Sequence, residues 1–139
     1  MSDCVFCRIA AGSLPATKVY EDASKLAFMD IAPIQPGHTL LIPKRHFERL
    51  TDLPEDVAAD LTRFLPKLAR AVAAATAADG FNVMQTNGAC AGQSVFHVHF
   101  HVIPRHDGDG YRFHWQPTPY RPGQMEQWQK GIVEKLNEA

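Results

Sequence analysis

Three histidines alternate with apolar residues in the run His97-Val98-His99-Phe100-His101. On a helix, residues two positions apart diverge by about 200°, so the three imidazoles would not share a face. On a strand, the rings share one face at a spacing of roughly 6.5–7 Å, and the apolar residues pack on the opposite face. The alternation therefore predicts a strand that presents a row of imidazoles for chemistry.

Such a row of imidazoles serves two kinds of chemistry. It can hold a catalytic metal ion, or one imidazole can act as a nucleophile that its neighbours support. The preceding segment, residues 87–96, contains two glycines, small residues, amide side chains and a hydroxyl. Gly88 and Gly92 would let backbone N–H groups approach an anionic oxygen, as a phosphate site requires. The combination favours phosphate chemistry, and the metal-binding alternative stays open.

Two cysteines form a second candidate site, because Cys4 and Cys7 are spaced to bind one zinc ion. A redox pair and chance are the alternatives, and a thioredoxin-like pair would need a β-α-β context that this pattern lacks. We interpret Cys90 as a small loop residue without special reactivity. The odd number of cysteines, and the lack of signal-peptide features in residues 1–10, lead us to expect a reducing, cytoplasmic location.

The patterns around these residues predict an α+β fold with antiparallel strands. Residues 54–78 carry one apolar stripe, which predicts a long helix that stops at Gly80 and kinks or breaks at Pro66. A short helix is expected before it, over residues 4–10, with Ser2 or Asp3 as its cap. The predicted strands are residues 18–22, 25–30, 38–43, 81–86 and 96–103.

The 139 residues are expected to form one domain, with residues 1–105 as the core catalytic unit. Residues 106–139 would add an aromatic arm and a helix of the same domain, the helix marked by Met125, Trp128, Ile132 and Leu136. With 14 basic and 15 acidic residues, the net charge of −1 gives no reason to expect a nucleic-acid partner. No apolar run approaches the ~20 residues of a membrane span, so no membrane partner is expected either.

The motifs together resemble those of the histidine triad (HIT) family. The family signature, a Gly-Gln pair followed by histidines that alternate with apolar residues, is matched by residues 92–103, and further matches lie at 28–31, 36–40 and 42–46. The resemblance runs from about Cys4 to Arg105. It implies a HIT-like fold: an antiparallel sheet of about five strands with one long helix and short terminal helices.

By this resemblance the catalytic residues are His99, His101 and Gln93. His99 would attack the α-phosphorus of a nucleotide and form a covalent nucleotidyl-histidine, and His101 would help the leaving group depart. The implied nucleotide-binding residues are Asp30 for the ribose, Phe28 and Ile31 for the base, and Asn87, Gln93, Ser94 and His101 for the phosphate. Phe6 and Ile9 would complete the base pocket, and His38 is interpreted as structural.

Some bacterial members of the family complete a zinc site with the histidine after Pro-Lys and the first histidine of the triad. The corresponding ligands here are Cys4, Cys7, His46 and His97, which implies one structural zinc ion per chain and no organic cofactor. The rival metal site is a zinc ion held by all three triad histidines.

The leading hypothesis is a hydrolase or transferase that releases a nucleoside monophosphate from phosphoramidates or dinucleoside polyphosphates. The alternative is a nucleotide-binding regulatory or adaptor module with little turnover. The expected substrate is a nucleotide, preferably a purine nucleotide. The resemblance also implies a homodimer in which two sheets join edge to edge. The sequence supports it indirectly, because an uncovered sheet edge is a liability and the arm carries Trp115 and Tyr120, aromatics of the type enriched at interfaces.

Overall fold

The computed structural model describes residues 3–139, so the expected cap residue Ser2 lies outside the described residues. It contains helices α1 (Val5–Ala10), α2 (Glu55–Thr76) and α3 (Gln124–Glu138), and strands β1 (Lys18–Glu21), β2 (Lys25–Met29), β3 (Thr39–Pro43), β4 (Gly80–Gln85) and β5 (Phe100–Arg105). The strands form one sheet in the order β1-β2-β3-β5-β4, and every neighbouring pair is antiparallel. The predicted α+β class and five-stranded antiparallel sheet are confirmed.

The central strands β2 and β3 are buried on both faces of the sheet. On one face, Ala27 and Leu41 pack against α2, whose buried residues are Leu61, Leu68, Ala69 and Val72. On the other face, Phe6 and Ile9 of α1 pack against Leu26, Phe28, Leu40 and Ile42. Successive residues of a strand point to opposite faces, so this two-sided burial explains the uninterrupted apolar runs of both strands.

The last strand begins later than the alternation of histidines predicts. β5 starts at Phe100, so His97 and His99 lie in an irregular segment before it, and the predicted strand 96–103 is wrong at its start. The physical reason is a different backbone partner. The N–H of Val98 donates to the carbonyl of Phe47 at 2.7 Å, which keeps this segment out of the sheet ladder.

The alternation nevertheless describes the packing of this segment correctly. Val98, Phe100 and Val102 all lie in the buried cluster under α2, as expected. The other four predicted strands are confirmed to within one residue at each end.

The helix ends differ in detail from the expectation. α1 is capped by Cys4 rather than by Asp3, because the Cys4 sulfur accepts the N–H of Cys7 at 3.4 Å. α2 ends at Thr76, because Ala77 adopts a left-handed conformation with φ of 51°. The predicted stop at Gly80 is therefore wrong, and that glycine already begins β4.

α2 continues through Pro66 as the single helix expected, so the alternative of a break at this residue is wrong. A proline inside a helix removes one backbone donor and leaves the carbonyl four residues earlier without its partner. Pro66 and Thr62 both lie on the exposed side of α2, where water can satisfy that carbonyl.

Beyond β5 the chain leaves the sheet, and residues 106–123 form neither helix nor strand. Arg105 anchors the start of this arm, because its guanidinium donates to both carboxylate oxygens of Asp109 at 2.8 and 2.9 Å and to Asn82 Oδ1 at 2.9 Å. Within residues 3–139, none of the side chains of α3 is buried. Among the helices of residues 3–139, none combines the length and the apolar character that a membrane crossing requires.

Candidate functional site

Four potential metal ligands from three separate parts of the chain converge at the first turn of α1. The ligand atoms of Cys4, Cys7, His46 and His97 all lie within 4.8 Å of one another. Cys7 Sγ is 3.3 Å from His46 Nδ1 and 3.5 Å from His97 Nδ1. Cys4 Sγ is 3.4 Å from His97 Nδ1. The structure thus brings together all four residues that the sequence suggests as ligands, here called the Cys2His2 cluster.

The geometry of the Cys2His2 cluster fits a tetrahedral ion. Zn–S bonds of ~2.3 Å and Zn–N bonds of ~2.0–2.1 Å give S···N edges of about 3.6 Å in a tetrahedron. The N–H at Nε2 of His97 donates to the carbonyl of Pro43 at 2.8 Å, so the Nδ1 lone pair faces the two sulfurs. Burial and the neighbouring Cys4 raise the pKa of the Cys7 thiol, and a bound cation would favour its thiolate form.

The middle histidine of the triad has one nitrogen fixed by the backbone. The N–H at Nδ1 of His99 donates to the carbonyl of His97 at 2.7 Å, so the neutral ring carries its lone pair on Nε2. The His99 and His101 rings lie side by side, with their centroids 4.9 Å apart. This arrangement suits an oriented nucleophile with an acid–base partner next to it.

His38, which the sequence suggests is structural, lies in contact with His101. The N–H of Ile34 donates to His38 Nδ1 at 3.1 Å, so the neutral His38 ring carries its proton on Nε2. That nitrogen lies 2.8 Å from His101 Nδ1 and 3.5 Å from a carboxylate oxygen of Asp30. His101 therefore accepts at Nδ1 and presents its own proton at Nε2. His38 lies in the matching segment 36–40, but the sequence does not show its contact with His101, which depends on the pairing of β3 with β5.

Burial lowers the pKa of four imidazoles, those of His38, His97, His99 and His101, and so favours their neutral forms. It lowers the pKa of His97 to about 4, and it also lowers the pKa of His99. The pKa of His101 falls to about 4, because burial is reinforced by His99 and His38, whereas Asp30 opposes the shift. Burial likewise lowers the pKa of His38 against the opposing charge of Asp30. A nucleophile and a metal ligand both need a neutral ring, so the direction of these pKa shifts is compatible with either role.

Amide side chains hold the loop between β4 and the histidines. Gln93 is buried; its Oε1 accepts the N–H of Gly88 at 2.7 Å, and its Nε2 donates to the carbonyl of Glu48 at 2.7 Å. Asn87 Oδ1 accepts the N–H of Leu50 at 2.7 Å. Both amides therefore shape the loop, a role that the sequence does not reveal. Contacts of either amide with a phosphate stay a prediction.

The other residues expected around a nucleotide occupy different environments. Phe28 is buried, and its ring centroid is 5.5 Å from that of Phe6. The side chain of Asp30 is 19% exposed, and Ser94 lies at the surface. Ile31 is 101% exposed, and its contact with a base, which the family resemblance implies, stays a prediction.

Comparison with known proteins identifies the family. Residues 11–108 match the family model described as the HIT domain, so this chain belongs to the histidine triad (HIT) family. Protein hit of Bacillus subtilis is 41% identical over 137 residues, which cover 96% of this chain and 94% of that protein. Adenosine 5′-monophosphoramidase hnt1 of Schizosaccharomyces pombe is 37% identical over 134 residues, which cover 96% of this chain and 98% of that protein. Adenylylsulfatase HINT3 of Arabidopsis thaliana is 44% identical over 108 residues, which cover 78% of this chain and 55% of that protein.

Solved structures show the same fold. A protein from Streptococcus mutans superposes with a TM-score of 0.92 at 40% identity, covering 98% of this chain and 87% of that chain. A zinc-bound histidine triad family protein from Mycobacterium smegmatis superposes with a TM-score of 0.75 at 37% identity, covering 99% of each chain. The HIT fold is thereby confirmed, and relatives in the family are named as an adenosine 5′-monophosphoramidase and an adenylylsulfatase.

Replacement of His38 by alanine should release the His101 ring from its single tautomer, because the donor to Nδ1 is lost. In the unaltered protein, the ¹⁵N shifts of His101 should report a bare Nδ1 and a protonated Nε2. In His38→Ala, both shifts should move toward the average of the two tautomers. His106→Ala is the matched control, since that ring bonds the Thr76 carbonyl outside the site. Unchanged His101 shifts in His38→Ala would contradict the assignment.

Proposed function

We propose that this chain is a nucleotide hydrolase or transferase that acts at the α-phosphate through a covalent nucleotidyl-histidine on His99. The observation that carries the proposal is the orientation of the His99 ring. Its Nδ1 proton is held by the His97 carbonyl at 2.7 Å, and the ring is buried beside His101. The relatives named as a monophosphoramidase and an adenylylsulfatase support the same reaction class.

The reaction divides into two displacements at phosphorus. In the first, the Nε2 lone pair of His99 forms a bond to the α-phosphorus, and the bond from phosphorus to the leaving group breaks. The N–H at Nε2 of His101 donates a hydrogen bond to the leaving group, which takes up a proton from solvent water as it departs. In the second, a water oxygen bonds to phosphorus, the N–P bond breaks, and the proton of that water passes to solvent. The products are a nucleoside monophosphate and the neutral His99.

The tautomer chain explains why His101 suits this role. Its Nδ1 accepts from His38, whose own tautomer is set by the Ile34 N–H, so the proton sits on the outer nitrogen of His101. We assign Asp30 to the ribose hydroxyls and Ser94 to the phosphate. Gln93 and Asn87 act on the phosphate through the shape of their loop and, as proposed contacts, through their amides. Phe28 and Ile31 remain the proposed base contacts, with Ile31 at the open rim.

A zinc ion bound by all three triad histidines fits these residues less well than a nucleophilic His99 does. The Nδ1 of His97 faces the two cysteines, and the Nδ1 of His99 is engaged by a carbonyl. The rings therefore divide between two tasks. We propose that His97 belongs to a structural zinc site with Cys4, Cys7 and His46, and that His99 and His101 perform the chemistry.

Incubation with an adenosine 5′-phosphoramidate, followed by a quench in base, should yield an adenylyl group on His99 that mass spectrometry can map. His99→Ala should lose activity by about 1000-fold or more, because the nucleophile is removed. His106→Ala, a change of the same type outside the site, should keep it. An adduct on another residue, with His99→Ala active, would contradict the mechanism. Nucleotide binding without turnover would favour the adaptor function.

The purified protein should contain about one equivalent of zinc per chain, and Cys4→Ser should contain less by about one equivalent. Cys90→Ser is the matched control, because Cys90 is exposed and lies away from the Cys2His2 cluster. Chelation should lower the melting temperature, since metal binding stabilises the folded chain. Equal zinc content in Cys4→Ser and the unaltered protein would refute the site.

We also propose that two copies of this chain associate through the outer edge of β4. Phe81 and Val83 on this edge strand are 49% and 46% exposed, although both are apolar. An open strand edge with apolar side chains is a site for pairing with another strand. The apolar side of α3 and the arm residue Trp115, which is 88% exposed, would be covered in the same dimer.

Light scattering should give about twice the chain mass of 15.4 kDa. Val83→Lys should shift the protein toward the monomer, because it places a charge in the paired edge. Val19→Lys is the matched control on β1, the opposite edge strand, where Val19 is 50% exposed. A monomeric unaltered protein, or equal dissociation by both variants, would count against the β4 interface.

A further inference from the structure

One aromatic side chain of α1 lies between the Cys2His2 cluster and the proposed nucleophile. Phe6 is 6% exposed, and its ring centroid is 5.9 Å from that of His97 and 5.1 Å from that of His99. The interplanar angles are 75° and 83°, so both contacts are edge-to-face. Phe6 thus touches one ring of the cluster and one ring of the reaction centre at the same time.

The position of Phe6 is tied to the cysteines on either side of it. Cys4 caps α1, and Cys7 lies one residue after Phe6 in the same turn. Each sulfur lies within 3.5 Å of the His97 ring. α1 has six residues and is too short to hold its conformation alone, so its place depends on these contacts and on the core.

The contact with Phe6 restricts a motion of the His99 ring that its hydrogen bond to the backbone does not prevent. One bond from Nδ1 to a carbonyl fixes one point of the imidazole, and the ring can still tilt about that point. A packed edge-to-face neighbour limits the tilt. Attack on phosphorus requires the nitrogen at about 3–3.5 Å and in line, and a displacement of about 1 Å can cost about 100-fold in rate.

We propose that Phe6 is a positioning residue that links the integrity of the Cys2His2 cluster to the orientation of the His99 ring. The inference rests on the proposed function for its kinetic consequence. The cluster then has two effects: it stabilises the fold, and through Phe6 it sets the rate at which His99 is adenylylated. A wall of a base pocket would lack the second effect, because its loss would weaken binding independently of the cluster.

A four-variant cycle tests the link: the unaltered protein, Cys4→Ser, Phe6→Ala and the double variant. The rate of His99 adenylylation is measured in single turnovers at saturating adenosine 5′-phosphoramidate, so that weaker binding does not contribute. Each single variant should slow this step by about 10- to 100-fold. The double variant should be no slower than the slower single variant, because both changes break the same connection. Phe6→Ala should still bind about one equivalent of zinc.

Two controls separate positioning from loss of stability. Phe6→Leu, which keeps apolar bulk against His99, should recover most of the rate. Leu14→Ala removes a partly buried side chain from the same apolar cluster, and it should lower the melting temperature without slowing adenylylation. The proposal would be overturned if the reductions in adenylylation rate of Cys4→Ser and Phe6→Ala multiplied in the double variant. It would also be overturned if Leu14→Ala slowed adenylylation as much as Phe6→Ala does.

A spectroscopic measurement keeps the test independent of activity and of the folding of Cys4→Ser. Chelation of the unaltered protein should shift the ring-proton resonances of His99 in the direction produced by Phe6→Ala. Chelation of Phe6→Ala should then add no further shift of those resonances. If chelation left the ring-proton resonances of His99 unchanged, the link would be refuted. A protein that forms no adduct but shows the linked shifts would instead refute the proposed function alone.

Discussion

Strands β2 and β3 bury apolar side chains on both faces, and each face of the sheet centre therefore needs a cover. The 22-residue helix α2 provides one cover with a long apolar stripe. The six-residue helix α1 contributes to the other through two buried side chains. Such a short helix has little stability of its own. The Cys2His2 cluster and His99 both lie at the face of the sheet that α1 covers. The burial of the core and the proposed function therefore depend on the same contacts.

Patterns that depend on local periodicity could be predicted from the sequence. The alternation that buries Val98 and Val102 and the stripe of α2 follow from the period of a strand and of a helix. The spacing of Cys4 and Cys7, read with the family resemblance, likewise placed four ligands that the fold brings together. These features were accessible because a short stretch of chain carries the whole signal.

Features decided by a distant backbone group could not be predicted in this way. The start of β5 depends on a bond from Val98 to Phe47, and the place of His38 depends on the pairing of β3 with β5. The bonding of Gln93 to the carbonyl of Glu48 has the same origin. Main-chain groups carry no residue identity, so the sequence does not show where they will act. The tautomers of three imidazoles are nevertheless set by such groups, in Pro43, His97 and Ile34.

The separation of the cluster ligands along the chain has a consequence for how the protein is made. Cys7 and His97 are 90 residues apart. At a synthesis rate of about 5–20 residues per second, His97, the last of the four ligands, follows Cys7 after about 5–20 s. The ligand set is therefore completed late in synthesis, and the nascent chain depends on its surroundings to keep both thiols reduced until then.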